Sequence, residues 1–169
     1  GASEGGVTAD GVDLQFNGRD DQIAEAALGG YEIFADVMQF ADDRGQPSAL
    51  AAFEATGRAY LAFARKYPGH YIAMFESGIS VNRTPDLALA ANRAKEVLEM
   101  AAADLSEHIP PEKRPPASMF SAHIWAMSHG VVELYARNAG ASSPFPPEDL
   151  LESGIGIYLR GLGLVPPDE

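Results

Sequence analysis

Cysteine is absent from this 169-residue chain, which excludes disulfides and thiolate metal sites and removes any redox argument. Basic residues are scarce: 12 Lys and Arg stand against 24 Asp and Glu, for a net charge of −12. So acidic a surface repels phosphate backbones over a Debye length, and the chain by itself is a poor candidate for nucleic-acid binding. Long apolar runs are missing too. The longest stretch free of Asp, Glu, Lys and Arg, Pro115 to Val132, holds two histidines, three serines and two prolines, which is no membrane span. The opening residues, GASEGGVTADG, lack both an initiator Met and the basic-then-apolar order of a signal peptide. They read as a tail left by processing or cloning, and residues 1–18 are expected to be flexible from their Gly and Asp content. No alternating β-branched run marks a strand, and no internal repeat is present.

What is present is the composition of one globular domain over residues 19–169, 46% hydrophobic and 21% charged. Its period is helical throughout. Ile23, Ala27, Tyr31, Phe34, Met38 and Ala41 recur every three or four residues until DDRGQP, which predicts a helix over about 20–43. After Pro47 a second stripe runs through Phe53, Tyr60, Leu61, Ala64 and Tyr67. Pro68 closes it and opens a short third helix. Thr84 as N-cap, Pro85 at the first helical position and Asp86 in the first turn start a fourth. The prolines of HIPPEKRPP separate it from a fifth over about 117–138. Pro147, Glu148 and Asp149 begin the last, with Leu151, Ile155, Tyr158, Leu159 and Leu162 along one stripe. The architecture expected is all-α, a bundle of six helices.

The fifth helix carries the only tryptophan, Trp125, and is apolar around almost its whole circumference between Met119 and Tyr135. Such a helix is either the centre of the core or divided between its own core and a second subunit. Gly154 and Gly161, seven apart, share a face of the last helix and suit a close helix crossing. The expected outcome is a homodimer whose last two helices form a four-helix bundle. Ile124, Met127, Val131, Leu134, Leu151, Ile155, Tyr158, Leu159 and Leu162 are its expected contacts, with Gly130 admitting a neighbouring backbone.

Residues 59–75, AYLAFARKYPGHYIAMF, and Trp125 followed by His129-Gly130 resemble the effector-binding domain of TetR-type transcriptional regulators, in particular the subgroup marked by a Trp, His, Gly signature. The resemblance covers about residues 20–165. It implies a domain that dimerises through its last two helices and encloses a mostly apolar pocket for a small effector, whose binding respaces two DNA-reading heads. The three-helix head of such regulators is not found in residues 1–22. DNA is therefore expected as a partner only through a missing N-terminal domain, whose removal the Met-less start favours. A cytoplasmic location and the absence of enzymatic activity follow from the same resemblance. A stand-alone helical binding protein or a cofactor-using enzyme sharing only the bundle is the alternative.

The pocket is expected to draw on Phe63, Tyr67, Tyr71, Met74, Phe75, Met100, Phe120, Trp125 and His129. Aromatic and Met side chains offer large, adaptable apolar area, and Tyr, Trp and His add polar handles. The competing reading is that these residues fill a close-packed core. His129 lies four residues after Trp125 and four before Glu133, all on one helical face, and Glu133 can also pair with Arg137. A carboxylate beside an imidazole is used by general bases and metal ligands, but no nucleophile or co-ligand is identifiable for His129. His123 points away, and no Glu-x-x-His or His-Glu-x-x-His pattern occurs. His70 and His108 lie at helix ends. No catalytic residue, metal site or cofactor is expected, and His129 reads first as a packed, hydrogen-bonded histidine and second as a ligand contact.

Overall fold

A computed structural model describes the backbone over residues 4–136 and 144–164, and side chains over 18–135 and 144–164. Among the described residues there are six α-helices and no strand: α1 (Glu4–Gly45), α2 (Ala49–Lys66), α3 (Pro68–Phe75), α4 (Pro85–Ser106), α5 (Ala117–Val131) and α6 (Pro147–Gly161). A short 3-10 turn, Pro111–Lys113, precedes α5, and α5 continues into a π-helical turn, Val132–Ala136. The all-α bundle read from the periodicity is the fold.

Local chemistry sets several boundaries. The Ser48 hydroxyl accepts from the Ala51 N–H at 3.1 Å and caps α2, and the Thr84 hydroxyl accepts from the Leu87 N–H at 3.1 Å and caps α4. The Tyr67 N–H closes α2 on the Phe63 carbonyl, and Pro68 follows at once as the first residue of α3. α1 is helical from Glu4, so it starts inside the segment read as a tail; residues 1–3 lie outside the described residues. The end of the fifth helix near residue 138, and Arg137 with it, also lie outside them. Gly45 ends α1 where a Cβ would run into the backbone of Ala51 and Ala52, so only glycine lets α2 begin that close.

The centre of the bundle is α1. Its Ala24, Ala27, Tyr31, Phe34, Ala35 and Met38 are all buried, and it packs on α2, α3 and α4. Phe34 is the hub, its ring centroid 5.6 Å from Tyr60, 5.1 Å from Phe63 and 6.1 Å from Phe75. α5 and α6 close one side against α2, with Phe120 stacked between Phe53 at 6.1 Å and Tyr158 at 5.9 Å.

α5 is thus a peripheral helix. Only Phe120, Ser128 and Val131 are buried along it, while Met119, Ala122, Trp125 and Ala126 are exposed. Of its two possible roles, the central one is ruled out for this chain.

The faces of α5 and α6 also differ from the expected assignment. Val131, Leu151, Ile155 and Leu159 are buried inside the chain's own core, and Ile124, Met127, Tyr158 and Leu162 pack against that core half-buried. Leu134 alone of the nine expected contacts is an exposed large side chain. The reason is register: positions 151, 155 and 159 form the stripe that meets α2, which turns Ser153, Ile157 and Gly161 outward. Gly154 meets Met127 of the same chain at 3.8 Å from its would-be Cβ, whereas Gly130 and Gly161 face open space.

Arg65 of α2 forms a two-pronged ion pair with Glu148 in the first turn of α6. The Arg65 hydrogen bond holds the Glu148 carboxyl below the usual carboxylate range. A depressed folded value means that the pair stabilises above the ordinary carboxylate pKa and that this contribution fades as pH falls through the depressed one. Glu148→Gln is therefore expected to lower stability near neutral pH and to match the parent in acid, as read by urea denaturation at both. A difference unchanged in acid would assign the loss to something other than this pair.

Candidate functional site

One chain of polar contacts runs from the surface of α5 into the core. The Trp125 indole N–H donates to the Tyr60 hydroxyl at 3.0 Å, the Tyr60 and Tyr71 hydroxyls are 3.0 Å apart, and the Tyr71 hydroxyl meets His129 Nδ1 at 2.5 Å. Trp can only donate, so the Tyr60 oxygen is the acceptor there and the Tyr60 proton is left for Tyr71. Burial pushes the Tyr60 phenol up to about 12, which keeps it a neutral hydrogen-bonding group rather than a phenolate. Tyr31, raised by burial as well, donates to the Met74 carbonyl at 3.2 Å and ties α1 to α3.

The segment contributes this array because Tyr60 lies on the core stripe of α2, Tyr71 follows one turn into α3, and Trp125 and His129 are four apart on α5. α3 can approach α1 closely because Gly30 stands opposite Met74, whose Sδ would lie 2.5 Å from a Cβ there. Phe75 fills the space between, 5.9 Å from Trp125 and 6.3 Å from His129 between ring centroids.

Beside this array lies a cavity of about 50 Å³, walled by Met38, Thr56, Tyr60, Ile124, Trp125 and Ser128 among others. Two of its hydroxyls serve their own helices, Thr56 donating to the Phe53 carbonyl at 2.6 Å and Ser128 to the Ile124 carbonyl at 2.9 Å. Apart from Tyr60 and Ser121, most of the remaining wall is apolar. A larger groove of about 250 Å³ runs between α2 and α6, with Arg58, Glu54 and Arg160 on its rim and Leu61, Leu151 and Ile155 in its floor.

Of the residues expected to line a pocket, Trp125 alone borders either cavity. Phe63, Tyr71, Met74 and Phe120 are buried among their neighbours, and Tyr67, Phe75 and His129 are half-buried. Met100 is 67% exposed on the outer face of α4, away from the others, because the inward stripe there passes through Ala94, Ala101 and Leu105. Phe120 belongs to the stack with Phe53 and Tyr158, not to the Tyr71 array.

Four participants are not read as site residues in the sequence. Tyr60 belongs there to the aromatic cluster but not as the link between Trp125 and Tyr71, and Thr56 and Ser128 carry no signal beyond small polar residues on apolar stripes. Glu76, the C-cap residue of α3, is the fourth. Ligand atoms of Glu76, His129 and Glu133 lie within 4.8 Å of one another. The remaining histidines are apart from this group. His123 Nδ1 lies 2.8 Å from the Tyr158 hydroxyl, and His70, at the start of α3, reaches the Ala26 carbonyl at 2.9 Å.

No curated protein matches the chain. Among solved structures, a protein of unknown function from Rhodococcus sp. RHA1 superposes with a TM-score of 0.71 at 19% identity, over 84% of this chain and 72% of that one. That likeness establishes the fold alone. The family model of the tetracyclin repressor-like C-terminal domain matches residues 53–158, from the α2 core stripe through the Trp125 and His129 face to the outer turn of α6. The match takes in more than half of the chain and every element that builds the polar array, so the chain belongs to the TetR-like C-terminal domain family.

Proposed function

We propose that this chain is the ligand-sensing and dimerisation domain of a TetR-like transcriptional regulator. It binds a small, mostly apolar effector and thereby controls a helix-turn-helix head that is not contained in these residues. The observation that carries the reading is the cavity beside Trp125, an apolar space reached by a few fixed polar groups, which is the make-up of a small-molecule site. At about 50 Å³ it falls well short of the roughly 300 Å³ or more of a drug-sized pocket. An effector therefore enters by moving α5, and Trp125, 47% exposed and fixed by one hydrogen bond, is the side chain free to swing.

Trp125 is also the only tryptophan, so its emission reports on that movement alone. In a thermal-shift screen of chemically diverse apolar compounds, a true effector is expected to raise the melting temperature by mass action and to shift Trp125 emission with the same concentration dependence. A stabiliser that leaves the emission unchanged binds elsewhere, and a screen without any stabiliser counts against sensing.

The dimer of this reading uses the outward faces of α5 and α6. Met119, Leu134 and Ile157 are exposed there, and Gly130 and Gly161 have open space beside them. Ile157→Asp is expected to leave the melt nearly unchanged and to halve the mass in solution. A dimer mass retained by that variant would discard this interface.

A further inference from the structure

We propose that Glu76, His129 and Glu133 form a binding site for a divalent transition metal of the zinc type, with His129 as its nitrogen ligand and the two carboxylates as its oxygen ligands. The three residues come from different parts of the fold. Glu76 caps the C-terminus of α3, its N–H fixed to the Ile72 carbonyl at 2.9 Å, His129 is in the last turn of α5, and Glu133 follows in the π-helical turn. One ligand atom of each lies within 4.8 Å of the other two, so that small side-chain rotations bring all three onto a single ion. The spacing of His129 and Glu133, four residues along one helical face, places both donors on the same side, and π-helical turns recur at functional sites.

A metal-binding histidine needs its ring held by an outer partner, and the Tyr71 hydroxyl, 2.5 Å from Nδ1, supplies one. The Tyr71 oxygen has two lone pairs, so it can accept from the Tyr60 hydroxyl and also from a protonated Nδ1. The contact therefore survives when the ion fixes Nδ1 as the protonated nitrogen. Tyr71 is itself fully buried, stacked on His129 with ring centroids 5.7 Å apart, so the ring is positioned before any ion arrives. Phe75 and Trp125 form apolar walls beside the imidazole. One imidazole with two carboxylates suits zinc and its neighbours rather than calcium or magnesium, which prefer all-oxygen shells. Three protein ligands leave a fourth tetrahedral position for water or for a donor atom of a small molecule. Its ligands do not line the cavity beside Trp125.

The test is titration of the metal-free chain with Zn(II) by calorimetry, and with Co(II) by absorbance and by Trp125 emission. The Trp125 and His129 rings are 6.0 Å apart, so Co(II) bound at this site quenches Trp125. One ion per chain is expected, together with the visible bands of four- or five-coordinate Co(II). Glu76→Gln and Glu133→Gln, both at exposed positions, are expected to retain the fold and to weaken binding at least about tenfold each. Tyr71→Phe, a change at a positioning residue, is expected to weaken it about 10–100-fold at unchanged stoichiometry. His123→Ala is expected to change nothing. Absence of saturable binding overturns the site, as does binding that ignores both Gln variants or disappears in His123→Ala.

Discussion

Phe34→Ala is expected to cost about 3–5 kcal/mol, a large share of the stability of a domain this size. Phe34 is 2% exposed and its ring meets three others, Tyr60 from α2, Phe63 from α2 and Phe75 from α3, all edge-on. Truncation removes the apolar area of the ring, the edge-to-face contacts and the support of the Tyr60 backbone position at once. The cavity left behind cannot collapse easily, because its walls belong to three helices that are pinned elsewhere. The Tyr31 bond to the Met74 carbonyl holds α3 on α1, and the Trp125 bond holds Tyr60 to α5. Denaturant titration of parent and variant measures the loss, and the melting temperature is expected to fall by about 10 °C. A loss under about 1 kcal/mol would show that α1 is not the centre of the core.

Ile155→Asp is expected to abolish cooperative unfolding, in contrast to Ile157→Asp two residues away. Ile155 is 7% exposed and lies in the walls of both the α2–α6 groove and the cavity beside Trp125. A carboxylate at that position has no cation within the buried face to pair with. The nearest charged rim of the groove, Arg58 and Arg160, belongs to its mouth. An unpaired buried charge costs several kcal/mol, comparable to the whole stability of a small domain. Circular dichroism melting and dye binding to exposed apolar surface read the outcome. The contrast matters because either substitution, taken alone, would reduce the population of the proposed dimer. Only the pair separates a lost interface from a lost fold, and a cooperative parent-like melt of Ile155→Asp would overturn the inward register of α6.

The fold was legible in the sequence wherever its cause was local. Thr84-Pro85-Asp86 begins α4 as expected because capping, the proline position and the dipole all act within one turn. The stripe from Ala27 to Met38 is buried as its period implies. Legibility failed where the answer depended on which neighbour a face meets. On α5 nearly every position is apolar, so period gives no preferred face. The exposed side carrying Met119, Ala122 and Ala126 is chosen by packing against α2 and α6 instead. On α6 both Ile155 and Ile157 are β-branched and apolar, and only the contact with α2 turns the first inward. Glu76 was invisible for a related reason. It comes near His129 and Glu133 only through the fold, and nothing in its own surroundings, Phe75-Glu76-Ser77, marks it as more than a helix end.

At about 1.5 Å per residue, α1 is a rod roughly 60 Å long. From Asp20 onward it is gripped: Arg83 pairs with Asp21 at 3.1 Å and lies 3.8 Å from Asp20, and buried side chains follow as far as Met38. The turns before that grip extend about 20 Å further toward Glu4. A helix held at one end acts as a lever. A tilt of about 5° pivoting at Phe34 would displace the residues near Glu4, roughly 45 Å away along the helix, by on the order of 4 Å. Repacking inside the bundle would thereby become a movement outside it.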